Sequence, residues 1–367
     1  MDTPTFINGL DLCQAFFAEA VAPIMKDHFA EVAYSAALIG NGSEVLGYDT
    51  EMSSDHHWGP RVMLFLPPQD HAKHKTQIFD QLAQSLPRRF RGYPTGYNPP
   101  DEADHGTRSL DYSESGPINH RVDIDTLEGF FKSHLDFDID AQMEVADWLT
   151  FPAQKLLTVV AGRVFHDGIG LERQRQRFAY YPDQVWLYLL AGAWNRIEQE
   201  EHLMGRAGSV GDEIGSAIIA SRLARDLMRL CFLMERRYEP YPKWFGTAFS
   251  KLSCAPQMVP VLTKMLHSSS WQERESHLVE AYEYVAKMHN ALDITPAMPT
   301  KAQSFFGRPF MVISMGAFSR ALVEAISDEQ VRKLARRRLI GNIDQISDST
   351  DILSDPVWRK ALRQLYV

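Results

Sequence analysis

The chain has 367 residues, 45% of them apolar and 23% charged, which is long enough for two or three ordinary domains and too apolar for extended disorder. A net charge of −9 argues against bulk nucleic-acid binding, which takes a surplus of Lys and Arg, and three scattered cysteines give neither a disulfide framework nor a zinc knuckle. No basic-then-apolar leader opens the sequence and no apolar run approaches the ~20 residues that span a bilayer, so a reducing, cytoplasmic setting away from membranes is expected.

Apolar residues at helical spacing from Gly9 to Phe29 predict an amphipathic leading helix that Pro23 bends or ends. The short apolar runs Tyr34 to Ile39 and Arg61 to Leu66 predict two buried strands, each followed by Gly or Pro. Ile78, Phe79, Leu82 and Leu86 share one side of a helix over 72–86, stopped by Pro87. After a loop rich in Gly and Pro (91–117), the run Ile118 to Asp125 alternates, which predicts a strand with Asp123 and Asp125 on one face.

From Ala141 onward the spacing is helical. Pro182-Asp183 opens one helix and Asp212 begins another that runs to about Arg237. The expected fold class is α+β: a mixed sheet with helices over residues 1–140, then a mainly α-helical domain over 141–367. In the second helix Arg222, Arg225, Arg229 and Arg236 form a stripe, read first as a solvated face paired with Asp226, Glu235 and neighbouring acids, and second as a ligand or interface surface. The basic cluster between Arg332 and Arg338 reads as a surface helix.

The chemistry concentrates between Leu38 and Leu66. Gly42 and Ser43 follow the first strand as a small-residue turn that a phosphate can approach, and Asp55 opens the second strand as a residue of the type that holds a divalent cation. Asp123 and Asp125 supply later acids. His56 and His57 point to opposite sides of that strand, so only one of them can join Asp55, and a zinc site is the weaker reading. Trp58 and Tyr48 are read as core before base-stacking platforms, and His202, beside Glu200 and Glu201, as an ordinary helix end. No Gly-x-Ser-x-Gly elbow supports serine hydrolysis.

A Gly-Ser turn, an Asp before a strand and a further acid on a later strand resemble the nucleotidyltransferase fold of the DNA polymerase beta superfamily, which includes the aminoglycoside nucleotidyltransferases. More narrowly, Gly42 to Glu51, Asp55-His-His-Trp-Gly-Pro-Arg61, Tyr181 to Leu190 and the stretch Arg236 to Phe249 resemble an uncharacterised bacterial family of that superfamily. The resemblance implies that Gly42 and Ser43 contact the β and γ phosphates of a nucleoside triphosphate donor. It makes Asp55 the first ligand of Mg²⁺ or Mn²⁺, Asp123 or Asp125 the third acid and general base, and Lys243 a lysine that reaches the triphosphate. The acceptor would be a hydroxyl or amine on a small molecule, a protein or a tRNA.

One position departs from the superfamily pattern: His57 stands where it has a second metal-binding carboxylate, and an imidazole is a poor ligand for a hard cation. Three accounts stay open. His57 binds a softer metal; the site works with Asp55 and the later acids; or the protein is a regulatory one that binds a nucleotide without transferring it.

Overall fold

The computed structural model describes residues 5–54, 57–104 and 106–367. Two compact units emerge: residues 1–142 together with 155–179, and residues 143–154 together with 180–367. The expected single boundary near residue 140 is thus crossed more than once, because the segment after 155 returns to the first unit. The fold is mixed α and β, and mainly helical in its C-terminal part.

In the first unit, α1 (Gly9–Phe16) begins under an Asn8 cap whose side chain accepts the Leu10 N–H. A π turn over Phe17–Val21 separates it from α2 (Ala22–His28), whose first turn holds Pro23. The break therefore lies upstream of the proline, which starts a helix where no N–H is needed. Strands β1 (Ser35–Leu38), β2 (Arg61–Phe65), β3 (Arg121–Asp125) and β4 (Arg163–Asp167) form one sheet in the order β3-β2-β1-β4. Pairing is antiparallel for β1 with β2 and for β1 with β4, and parallel for β2 with β3. Helix α3 (Pro68–Ser85) supplies the crossover that a parallel pair requires.

Period two sorts the sheet into faces. Ala36, Val62, Leu64, Val122 and Ile124 sink into a core with Leu12, Phe16, Val21 and Met25 of the leading helices and Ile78 and Leu82 of α3. The opposite face carries Arg61, Met63 and Phe65 in register with Arg121, Asp123 and Asp125. Helix α4 (Leu127–Leu135) covers the Phe65 end of this face, where the Phe65 and Phe130 rings meet edge to face at 5.6 Å. The Arg61 and Arg121 end adjoins the turn that follows β1.

The second unit contains, among other helices, α5 (Val145–Thr150), α6 (Asp183–Glu200), α7 (Glu213–Met234), α8 (Ala255–His267), α9 (Trp271–Ala291), α10 (Ala317–Ala325) and α11 (Arg359–Leu362). Asp212 caps α7 by accepting the Gly215 N–H at 2.8 Å. Of the four arginines expected on one helical stripe, Arg222, Arg225 and Arg229 lie on α7 and Arg236 falls past its end with φ +51°; all are paired, Arg222 with Glu200, Arg225 with Asp348, Arg229 with Glu239 and Arg236 with Asp183. Asp226 pairs with Arg196 of α6 at 2.9 Å, and Glu235 accepts the Ser253 and Cys254 N–H groups instead of an arginine. No helix of the described residues is long and apolar enough to cross a membrane.

Arg229 faces four carboxylates, those of Glu239, Asp344, Asp226 and Asp348. Its charge is therefore shared, and burial pushes the Glu239 carboxyl up to about 7 and that of Asp344 up to about 6. The raised value fixes the sign of the linkage. The contribution of Glu239 to stability is fully present below its unfolded value near 4.5 and is lost as pH rises through about 7. Glu239→Gln cannot ionise and still offers Arg229 an acceptor. Its melting temperature should therefore gain on the wild type between pH 5 and pH 8; a constant difference across that range would contradict the assignment.

Candidate nucleotide site

The turn after β1 takes its shape from a buried ion pair. Arg61 Nε donates to Glu44 Oε1 at 2.8 Å, and Arg61 Nη2 donates to the Asn41 carbonyl at 2.7 Å. An arginine in the run Arg-Val-Met-Leu-Phe is tolerated only because Glu44 neutralises it. The pair lies directly behind Gly42, whose φ is +145°. A Cβ there would sit 2.4 Å from Arg61 Nη2 and 2.6 Å from Glu44 Oε2, so only glycine fits. The Ser43 carbonyl closes the turn by accepting the Leu46 and Tyr48 N–H groups. Among the described residues nothing engages the Ser43 hydroxyl.

Asp49 and Trp58 are structural. The Asp49 carboxylate accepts the Asn8 side-chain amide, the Gly9 N–H and the Trp58 indole N–H at 2.8, 2.6 and 3.0 Å, tying the loop to the start of α1. Trp58 is 1% exposed and stacks on Phe6, which leaves no face for a base. Cys13 is buried too, donating to the Gly59 carbonyl, and burial pushes its thiol up to about 12, out of reach of nucleophilic chemistry.

Asp55 and His56 lie outside the described residues. His57 is not on the second strand, which begins only at Arg61; it sits in a left-handed conformation with φ +53°, its N–H bonded to the Arg108 carbonyl at 2.8 Å. Its Nδ1 accepts from Arg121 Nη1 at 3.2 Å, so the neighbour His57 meets on β3 is a guanidinium. Arg121 also lies over the Tyr97 ring, 5.6 Å from its centroid. Burial, and then the neighbouring Arg61, hold its guanidinium below the usual arginine range; Arg108 acts in the same direction and Asp123 opposes them. The end of the sheet is therefore cationic.

The two later acids have different surroundings. Asp125 is paired with Phe65 at the far end of the strand, and its Oδ1 accepts the Thr126 N–H at 2.8 Å, folded back over the start of α4. Asp123 is exposed, opposite Met63 and two residues from Arg121 on the same face. Of the two it is the one free to meet a ligand. His71 and His74 lie on α3, His71 reaching the Ile124 carbonyl at the far end of β3.

Lys243 belongs to the second unit, exposed in a turn over Pro242–Trp244 with its Nζ 5.0 Å from the Trp244 ring centroid. His202 stacks on Phe305 at 4.2 Å, and the Glu201 carboxylate beside it accepts three backbone N–H groups from Ile313, Ser314 and Met315, so this helix end is structural.

Asp55, the expected first metal ligand, lies outside the described residues, and the described ones do not by themselves assemble a two-metal centre. His57 Nδ1 is taken by a cation, Asp125 is committed to a helix start, and among the described residues no three His, Cys, Asp or Glu side chains gather as a metal would require. Sequence reasoning overlooked Arg61, Glu44 and Arg121. The signal for the first two was a charge inside a buried strand motif with an acid one residue beyond the Gly-Ser turn.

A family model described as a domain of unknown function (DUF4037) matches residues 148–245, from within α5 to just past Trp244. No curated protein and no solved structure matches the sequence.

Proposed function

We propose that the chain binds a nucleoside triphosphate where the Gly42-Ser43 turn meets the starts of β2 and β3, and transfers its nucleotidyl group to a hydroxyl or amine. The observation that carries this reading is the Gly42 turn, backed by the buried Arg61–Glu44 pair, at the same end of the sheet as Arg121, which is in register with Arg61 and donates to His57. Backbone N–H groups and fixed cations together suit a polyphosphate. The acceptor oxygen or nitrogen attacks the α-phosphorus in line, pyrophosphate leaves, and Asp123 is the acid placed to take the acceptor proton.

The contact between Arg121 and His57 favours a second reading, a regulatory protein that binds nucleotide without transfer. Calorimetry with each of the four ribonucleoside triphosphates in Mg²⁺ or Mn²⁺, joined to a pyrophosphate-release assay with amine, hydroxyl and tRNA acceptors, separates the two. Binding with release supports transfer; binding without release under every acceptor supports the regulatory reading. Absence of binding refutes both.

A further inference from the structure

His57 and Arg121 together suggest how this site handles the charge of its ligand. In-line nucleotidyl transfer needs positive charge on the phosphates, and two divalent ions held by carboxylates are one way to supply it. A cation can be built into the protein instead. Arg121 opens β3 on the face that also carries Arg61 and Asp123, and its Nη1 donates to His57 Nδ1 at 3.2 Å. That single contact has two effects: it occupies the imidazole nitrogen turned toward β3, and it fixes a guanidinium beside the residue that replaces a carboxylate. A carboxylate at position 57 would have neutralised the same guanidinium; a neutral imidazole accepts its hydrogen bond without cancelling its charge, and the carboxylate that acts on it is the exposed Asp123 two residues along the strand.

Arg61, one strand over in the same register, cannot play this part, because Glu44 cancels its charge within the core. Arg108 adds to the cationic field, its own carbonyl bonded to the His57 N–H. Arg121 is half-buried, so its electrostatic effect on a bound anion is larger than that of a surface arginine.

We infer that the Arg121 guanidinium, positioned by His57, supplies the charge that a second metal ion would, so that a polyphosphate binds this site without needing a divalent pair. The inference rests on reading this end of the sheet as the triphosphate site, and it makes Arg121 a ligand-binding residue and His57 a positioning one.

The test uses the full chain, with inorganic tripolyphosphate and ATP as probes, titrated calorimetrically in EDTA and in Mg²⁺. Both probes should bind the wild type in EDTA. Arg121→Gln should weaken that binding about ten- to a hundredfold, the effect of one charge-assisted hydrogen bond, and Arg121→Lys should fall between. His57→Asp, which neutralises Arg121 and restores a carboxylate, should weaken binding in EDTA and make it depend on Mg²⁺. That gain of metal dependence is a readout which a merely structural role for His57 would not produce. Should Arg121→Gln fail to fold, Arg121→Lys and His57→Asp decide the question. If ATP binds only with a divalent cation and these variants match the wild type, the inference falls while the nucleotide reading stands. If neither probe binds under any condition, both fall.

Discussion

Arg61→Met should destabilise the first unit by about 3–5 kcal/mol, the usual consequence of removing one partner of a buried ion pair. The Arg61 and Glu44 side chains are only 8% and 4% exposed, so the abandoned carboxylate has no water to fall back on. The Asn41 carbonyl loses its donor at the same time, immediately beside the turn. Replacing both partners should recover most of the loss, because apolar groups of similar volume in place of a buried pair are commonly neutral in stability. Arg61→Met with Glu44→Leu should therefore fold, yet bind nucleotide poorly, since Gly42 then rests on a surface without the fork that shaped it. Urea denaturation of the wild type, the single variant and the double variant measures this directly. A single variant within 1 kcal/mol of the wild type would show that the pair is not holding the turn.

The same residues show what a sequence makes legible. Strands β1 and β2 were readable as short apolar runs followed by Gly or Pro, helix α3 by its helical spacing before Pro87, and strand β3 by its alternation, local information in each case. Strand β4 was not readable in that way. Arg163-Val-Phe-His-Asp167 stands among helical patterns, and what makes it a strand is β1, whose Ser35 is paired with Asp167 across the sheet. The Ser35 hydroxyl donates to the Asp167 carboxylate at 2.7 Å, a contact no local pattern announces. That long-range pairing also draws residues 155–179 into the first unit.

In the candidate site the split is of another kind. Gly42 and Ser43 were legible as residue types, and the reason for the glycine, a guanidinium behind it, was not. Asp123 and Asp125 were indistinguishable by period alone, since both face the same way; the Thr126 N–H, which takes up Asp125, tells them apart. His57 was legible only as a histidine where the resembled superfamily has a carboxylate. Its partner Arg121 lies 64 residues away and follows only from the parallel pairing of β2 and β3.

Asp147→Ala should be as costly to the second unit, about 3–5 kcal/mol, and costlier than Arg359→Met. The Asp147 carboxylate serves two purposes at once. It accepts the Glu144 N–H at 2.8 Å in the capping box that starts α5, and it receives the guanidinium groups of both Arg359 and Arg363. Arg359, 7% exposed, also donates to Thr150 Oγ1 at 3.2 Å and lies 4.2 Å over the Phe151 ring. Losing Asp147 strands a buried arginine and uncaps a helix. Losing Arg359 leaves the carboxylate with Arg363 and its backbone donor, which is why the two substitutions should differ although they break one pair. The clasp ties the C-terminal helix α11 to α5, where the family match begins, so ending the chain before Arg359, which removes Arg363 as well, should cost more than Arg359→Met. Thermal melts of the two substitutions and the truncation rank the three effects. Equal losses for Asp147→Ala and Arg359→Met would mean that Arg363 and the cap contribute nothing, and that the interaction is a simple pair.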